Sequence, residues 1–507
     1  MTATSDVQPS TTGTIRNPAT GDVAGEVHWT DPADVPRIAA RLAQAQPDWE
    51  KRGAKGRAKV LARFAVWLGD HRDEIEELLI KETGKSRTDA VQEVPMLVMI
   101  ISYLVKTMEK ALAPETRPAP LVALAVKKIS VHYRPRPVVG IIAPWNFPVA
   151  NAGMDALGAL AAGCAVLLKP SERTPLTAEV LVRGWRESGA PDVFALAQGA
   201  REVAEAVIDV SDFVHFTGSS ATGRKVMERA ARRLTPVSLE LGGKDPMIVL
   251  DDADVDLAAH AAVWGGLFNA GQMCVSVERV YVMDSVYDHF VDAVVRDVKA
   301  LQVGAGDGPH FGSLIDEQQM AVVEKHVADA KNKGARVLTG GDRVGGQGSF
   351  YQPTVLVDVD HSMECMTHET FGPTLPIMKV SSLSEAIRLA NDSPYGLSAS
   401  VFSRDLAKAK DVALQLDCGA ININDVVANL MCITAPMGGW KESGIGARFG
   451  GAESMRKYCR IETVVEPRIK VGSGANYYSS SPKAASRMAK QMMWMALRRP
   501  KRVARDR

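Results

Sequence analysis

The stretch Phe268-Asn-Ala-Gly-Gln-Met-Cys-Val-Ser-Val-Glu-Arg-Val280 places a cysteine, Cys274, just after a glycine-bearing turn. Upstream, Asp254 to Phe268 spaces its apolar residues at helical intervals and stops at Asn269-Ala270-Gly271, so Cys274 is predicted in or beside a loop that follows a helix. Downstream, Arg279 to Met283 reads as a strand. Helix, turn and strand in succession are the unit of an α/β sheet. Thiolates attack carbonyl carbon well, and Gly271 lets backbone and substrate come close to the sulfur. Taken alone, a single cysteine in an intracellular chain is ordinarily a small core hydrophobe. Its companions point elsewhere.

One companion is Leu239-Glu240-Leu241-Gly242-Gly243-Lys244, a strand running into a glycine pair, which leaves Glu240 at a strand end where a carboxylate can face a cleft. Another is Pro144-Trp145-Asn146-Phe147-Pro148, a loop stiffened by two prolines, in which Asn146 offers an amide donor of the kind that binds an oxyanion. Cysteine, carboxylate and amide donor form the set needed to attack an aldehyde, hold the resulting oxyanion and hydrolyse a thioester. The blander readings are a turn former at Asn146 and a solvated strand-end carboxylate at Glu240.

Around these pieces the pattern is a β/α alternation. Strands are predicted at Val138 to Ala143, Ala165 to Leu168, Val193 to Ala197, Asp212 to Phe216 and Val237 to Leu241, with helices at Met154 to Ala162, Leu176 to Ser188, Arg201 to Asp209 and Thr222 to Arg233. A second set of strands lies at 279–283, 337–339, 354–359, 375–380, 397–402 and 419–424. Such spacing means doubly wound parallel sheets, with ligands outside the carboxyl ends of the strands. Gly218-Ser-Ser-Ala-Thr-Gly223 follows one of these strands and opens a helix, where backbone N–H groups meet phosphates. Before the alternation, 34–45, 56–71 and 73–82 read as amphipathic helices, and the apolar run Val94 to Val105 as a buried helix too short to span a bilayer.

In order the chain also carries Lys169-Pro170-Ser171-Glu172-Arg173-Thr174-Pro175, Phe216-Thr217-Gly218-Ser219-Ser220, Glu369-Thr370-Phe371-Gly372-Pro373, Pro436-Met437-Gly438-Gly439-Trp440-Lys441 and Ser443-Gly444. On these motifs, from about Asn17 to about Val465, the sequence resembles the NAD(P)-dependent aldehyde dehydrogenase superfamily, and Glu240 precedes Cys274 by the 34 residues that separate base and nucleophile there. The resemblance implies an α/β fold of two doubly wound domains with a small β oligomerisation domain. It implies a dinucleotide-binding domain from 1–117 and 138–243, a catalytic domain from 244–435, and oligomerisation or bridging segments at 118–137 and 436–470, with 458–465 pairing with a 126–135 hairpin.

The resemblance also assigns roles. Cys274 is expected to form a thiohemiacetal whose oxyanion is held by the Asn146 side chain and the Cys274 N–H, and Glu240 to activate the water that hydrolyses the thioester. Ile142, Ala143, Pro144, Trp145, Asn146, Lys169, Ser171, Glu172, Gly218, Ser219, Gly223, Leu241, Glu369 and Phe371 are the expected cofactor contacts. Lys169 and Glu172 resemble the pair that grips the adenosine ribose; a carboxylate there repels a 2′-phosphate, so NAD is expected to be preferred, with NADP the alternative. Glu369 and Phe371 match positions that hold the nicotinamide ribose and ring. The expected partners are a small aldehyde and further copies of the chain, as a homodimer or homotetramer.

Two departures from the family pattern bear on substrate. Succinate-semialdehyde dehydrogenases of the family carry Arg-Lys eight residues after the asparagine, where this chain has Met154-Asp155. The late glycine motif reads Gly444-Ile-Gly446-Ala447-Arg448, with Ala447 where many members have arginine. With the apolar segment Val426 to Ile433, which in the family borders the aldehyde tunnel, Met154 suggests an apolar aliphatic or aromatic aldehyde. An actinobacterial subgroup often labelled succinate-semialdehyde dehydrogenase is nonetheless similar, and that activity is the alternative. A CoA-acylating enzyme would not need Glu240, and a silent structural member would be expected to have lost Cys274, Glu240 or Asn146.

Composition excludes several classes. Lys and Arg number 60 against 59 Asp and Glu, a net charge of +1, so no nucleic-acid footprint is present. Six cysteines without a CxxC argue for reduced thiols and a cytoplasmic setting, and ten scattered histidines show no metal-ligand spacing, so no metal is expected. Residues 1–15 lack a basic start and an apolar core and are read as a loose end. The tail, 471–507, interleaves Lys483, Arg487, Lys490, Arg498, Arg499, Lys501, Arg502, Arg505 and Arg507 with Met488, Met492, Met493, Trp494, Met495 and Leu497, against the single acid Asp506. On a helix this composition suits peripheral contact with an anionic membrane; a packed or solvated basic end is the alternative.

Overall fold

The computed structural model describes residues 12–119, 127–468 and 481–503. The first β/α run builds a six-stranded sheet in the order Gly444–Ile445, Val237–Glu240, Phe213–Thr217, Val138–Ile142, Ala165–Lys169, Phe194–Leu196. All neighbours are parallel except Gly444–Ile445, which runs antiparallel to Val237–Glu240. The chain order reverses between Val138–Ile142 and Phe213–Thr217, and the crevice at such a switch point is where α/β sheets take ligands. The strands are buried on both faces, which is why they read as continuous Val/Ile/Leu/Phe runs.

The second run builds a seven-stranded sheet, Arg336–Thr339, Thr354–Val357, Thr374–Val380, Val277–Met283, Asp245–Val249, Ser398–Phe402, Ala420–Ile423, parallel apart from Arg336–Thr339. The chain passes from the first sheet to the second through Glu240 to Asp245, so Glu240 sits at the junction, and Cys274 stands just before Val277–Met283. A third, antiparallel sheet joins Glu115–Arg117, Lys127–Pro135 and Cys459–Pro467. The pairing expected between the late strand and 126–135 is present in register, Cys459 opposite Pro135 through Pro467 opposite Lys127. Lys127–Pro135 is a single strand, not a hairpin, and its partners are distant in sequence.

The amphipathic N-terminal segments form helices Val35–Lys51, Gly53–Asp70 and Arg72–Thr83. The apolar run lies within a longer helix, Glu93–Ala111. The stretch Arg87–Ala111 is long and apolar enough to cross a membrane, yet Val94, Leu97, Ile101 and Leu104 lie in the core. The expectation of a loose end at 1–15 fails in part. Thr12–Arg16 pairs with Val23–His28, and Ile15, Val27 and Leu176 form a small cluster that ties this ribbon down; the rest of that segment lies outside the described residues. In the tail, Pro482–Val503 is a helix.

Candidate active site

The Cys274 loop is held by a network of buried amides. Helix Val255–Leu267 starts on Asp254, whose side chain accepts from the Leu257 N–H. Beyond its end the backbone turns left-handed at three successive residues, Asn269 (φ 54°), Ala270 (φ 56°) and Gly271 (φ 71°). Gly271 is needed there: a Cβ would run into the Gly372 carbonyl. Asn269 and Ala270 are not glycine and sit in a costly region, so side chains must hold the turn. Asn269 Nδ2 donates to the Asn146 and Gln272 carbonyls, both at 3.2 Å. Gln272 Nε2 donates to Asn269 O at 3.0 Å and Ser313 O at 3.2 Å, while its Oε1 accepts from the Ile315 N–H at 2.9 Å. Cys274 follows, half-buried.

The other two predicted residues converge on this loop. Asn146 is buried, with Nδ2 donating to the Gln272 carbonyl at 3.0 Å and Oδ1 accepting from Asn151 Nδ2 at 3.1 Å. Lys85, absent from the sequence reading, fixes its backbone by donating to the Asn146 carbonyl at 2.9 Å and pairing with Glu93 at 2.6 Å. Glu93 in turn accepts from the Val149 and Ala150 N–H groups at the start of helix Pro148–Ala162. Glu240 ends its strand fully buried and faces the Cys274 thiol. Its Oε2 accepts from Arg448 Nη1, and its Oε1 has no hydrogen-bond partner among the described residues. Burial pushes the Glu240 carboxyl above its ordinary range, against the pull of Arg448. Burial, and then the facing carboxylate, push the Cys274 thiol well up. The resting thiol therefore keeps its proton, with the Glu240 carboxyl beside it.

Above the thiol opens a cavity of about 390 Å³ walled by Phe147, Met154, Trp264, Phe268, Val426 and Leu430. Phe147 stacks on Phe268 with centroids 5.9 Å apart, and Trp264 adds a ring 5.3 Å from Phe268. Arg448 is the one cation among the described lining residues, and it is already bound to Glu240 and Asp155.

The predicted cofactor contacts line the switch-point side. Ile142 ends the strand Val138–Ile142, and the N–H of Ala143, which follows it, donates to the Lys169 carbonyl at 3.0 Å. Pro144 leads to Trp145, which meets Phe371 edge to face at 5.5 Å and carries the Arg173 guanidinium 5.7 Å from its ring. Ser171 is buried and accepts from the Arg173 N–H at 3.2 Å. Lys169 Nζ meets Glu172 at 3.0 Å, the amine buried and the carboxylate half exposed. A buried ammonium and an open carboxylate beside the strand ends are a donor set that fits a ribose diol. Glu369 accepts from the Gly243 N–H at 2.9 Å and closes on Gly242, where a Cβ would strike its carboxyl. Burial and the nearby Glu278 push Glu369 up to about 8, so at neutral pH it can donate a hydrogen bond to a sugar hydroxyl.

The Gly218 N–H is taken by the Glu240 carbonyl at 3.1 Å, because the neighbouring strands end in register. A phosphate there would meet the Ser219 hydroxyl and the first turn of helix Ser220–Ala231. Gly223 lies inside that helix against Leu241, whose terminal methyls a Cβ would press on. Sequence reasoning missed Arg448, Asn151, Gln272 and Lys85 as parts of the site; only Arg448 left a trace, in the altered late glycine motif.

Residues 6–464 match the aldehyde dehydrogenase family profile. A Mycolicibacterium smegmatis protein named "Putative succinate-semialdehyde dehydrogenase (NADP+)" is 40% identical over 442 residues, covering 86% of this chain and 85% of its own. Betaine aldehyde dehydrogenase of Staphylococcus aureus, solved with NAD+, superposes with a TM-score of 0.87 at 32% identity, over 92% of this chain and 94% of that one. Lactaldehyde dehydrogenase of Escherichia coli gives 0.85 at 34%, over 90% and 96%. The chain belongs to the aldehyde dehydrogenase family. It is an NAD(P)-dependent enzyme that oxidises aldehydes.

Proposed function

We propose that the enzyme oxidises apolar aliphatic or aromatic aldehydes to carboxylic acids, with NAD preferred over NADP, through a thioester on Cys274. Cys274 adds to the aldehyde carbon after its proton passes to Glu240; the Asn146 amide and the Cys274 N–H hold the oxyanion. NAD, when bound, supplies the hydride acceptor. Glu240 releases the thiol proton to solvent and, again a carboxylate, takes a proton from the water that cleaves the thioester. The cofactor would be held by Lys169, Glu172, Ser219, Glu369 and Phe371. The corresponding division of the chain is 1–117 with 138–243 for cofactor and 244–435 for chemistry. The exposed Ile461, Val464 and Val465 on Cys459–Pro467 suit a homodimer or homotetramer contact.

The observation that carries the substrate reading is the apolar cavity whose lining cation is already paired with two buried carboxylates. The second reading, succinic semialdehyde, is favoured by the names of the mycobacterial relatives. Steady-state rates on an aldehyde panel with both cofactors decide between them. By kcat/KM, hexanal or benzaldehyde should exceed succinic semialdehyde, and NAD should exceed NADP by about tenfold or more, since a like-charge contact readily costs ~1.4 kcal/mol. Glu172→Ser should narrow the cofactor gap. Succinic semialdehyde as the best substrate would mean that Arg448 leaves an acid to bind it, and equal use of both cofactors would remove the role given to Glu172.

The tail helix Pro482–Val503 carries exposed Met493, Trp494 and Leu497, with the Arg498 guanidinium 3.8 Å from the Trp494 ring. Apolar side chains among cations fit a peripheral contact with an anionic lipid surface. A chain ending at Gly474 should keep its activity on a soluble aldehyde while losing the intact enzyme's co-sedimentation with phosphatidylglycerol vesicles at low salt. Co-sedimentation absent from the intact enzyme, or unchanged by the truncation, leaves the tail as a packing or solvated element.

A further inference from the structure

Behind Glu240 lies a buried charge cluster that the mechanism above does not use. The Arg448 side chain is 2% exposed and stands between Glu240, at 0%, and Asp155, at 2%. Its Nη1 donates to Glu240 Oε2; its Nη2 donates to Asn151 Oδ1 at 2.8 Å and to Asp155 Oδ2 at 3.3 Å. Asp155 also meets His215 Nε2 at 3.0 Å. Lys457 Nζ donates to the Arg448 carbonyl and lies 3.4 Å from His215 Nδ1. Helix Pro148–Ala162 supplies Asn151 and Asp155, strand Phe213–Thr217 supplies His215, and strand Val237–Glu240 supplies the base. On the other side Glu240 faces Cys274, and Glu369 is close enough to feel its charge.

Two buried carboxylates cannot both stay ionised without a cation between them, and guanidinium is the side chain that stays protonated throughout. The other bases here cannot serve. Burial pushes His215 down to about 4 and Lys457 down to about 7, so the first is neutral and the second titrates in the working range. Burial works against the ionised form of Asp155 too, yet His215 and Arg448 hold its carboxyl below the usual range. Arg448 is thus the fixed charge of the cluster, and it grips one oxygen of Glu240 while the other is left unpartnered among the described residues.

We propose that Arg448 is a positioning residue for thioester hydrolysis: it holds Glu240 as a carboxylate by Oε2, so that Oε1 is presented to the attacking water. This rests on the roles given above to Cys274 and Glu240. In the step, the water oxygen bonds to the acyl carbon and one water proton passes to Glu240 Oε1. The C–S bond breaks with its electron pair going to sulfur, and the carboxylic acid leaves. No proton comes from Arg448. A guanidinium suits this position because it stabilises the charge of the base without competing for the proton. Asp155 and Asn151 keep the fork aimed.

The test follows the decay of the acyl-enzyme directly. Full-length enzyme with NAD is mixed with benzaldehyde, quenched at intervals and weighed intact, so that loss of the acyl mass on Cys274 gives the hydrolysis rate from about pH 5.5 to about pH 9. Arg448→Met should still acylate, but its acid limb should move up by about one pH unit or more, roughly a tenfold slower hydrolysis at any pH below the limb. Arg448→Lys should recover part of the shift. If Arg448→Met does not fold because Asp155 is left unpaired, the double variant Asp155→Asn, Arg448→Met removes that charge and is measured in the same way. An unmoved acid limb in the folded variants overturns the proposal. Failure of the underlying reading looks different: turnover by Cys274→Ala, or wild-type enzyme that never carries the acyl mass.

Discussion

Cys274→Ala should lower kcat by roughly 10⁴- to 10⁶-fold, the scale on which nucleophile removal acts when the remaining groups work only as a unit. The loss is expected to be confined to chemistry. Cys274 lies at the floor of the aldehyde cavity, whereas Lys169, Glu172 and Trp145 lie at the ends of other strands. NAD should therefore still bind the variant with a dissociation constant within a few-fold of wild type, measured by quenching of protein fluorescence. The substitution removes one sulfur from a half-buried position whose backbone is fixed by Asn269 and Gln272, so thermal stability should change little. Wild-type turnover in the variant would end the proposed mechanism, and loss of NAD binding would show that Cys274 holds the loop and not only the substrate.

Legibility from sequence divides along the range of the interactions. Cys274, Glu240 and Asn146 are readable because each sits in a short string whose turn residues fix its exposure: Gly271 before the cysteine, Gly242 and Gly243 after the glutamate, prolines around the asparagine. The alternation of strands and helices is readable because both sheets are buried on two faces, which forces apolar runs. What is not readable depends on residues that meet only after folding. Arg448 and Asp155 are 293 positions apart, and neither local string points to the other; each lies in a stretch that departs from the family pattern, at Ala447 and at Met154-Asp155. The left-handed turn at Asn269 and Ala270 carries no glycine signal at those positions; it is imposed by side-chain bonds to Asn146 and Gln272. Gly218 matches a phosphate-binding pattern, but its N–H is spent on the carbonyl of Glu240, a consequence of strand register that no local string encodes.

Glu240→Gln should slow the first half of the reaction without stopping it and disable the second. Glutamine keeps the size of the side chain and an acceptor for Arg448, so the pocket stays filled and the guanidinium keeps its contacts to Asp155 and Asn151. What goes is the charge and the ability to take a proton from water, worth roughly 10²- to 10⁴-fold in a general-base step. A burst of NADH on mixing with aldehyde should survive, because adduct formation and hydride transfer precede the lost step; its rate should fall as well to the extent that Glu240 helps remove the thiol proton from Cys274. The slow phase should lose the acid limb of the wild-type profile. The sign follows from the site: burial places the Glu240 pKa above its ordinary value, so wild-type hydrolysis fails as pH falls through that raised value, whereas glutamine has no proton to gain. Acyl-enzyme accumulating on Cys274 with a pH-independent slow phase is the expected result. Steady turnover at the wild-type rate with the limb intact would move the general base to another carboxylate, such as Glu369, pushed up to about 8 and close enough to act on the Cys274 thiol.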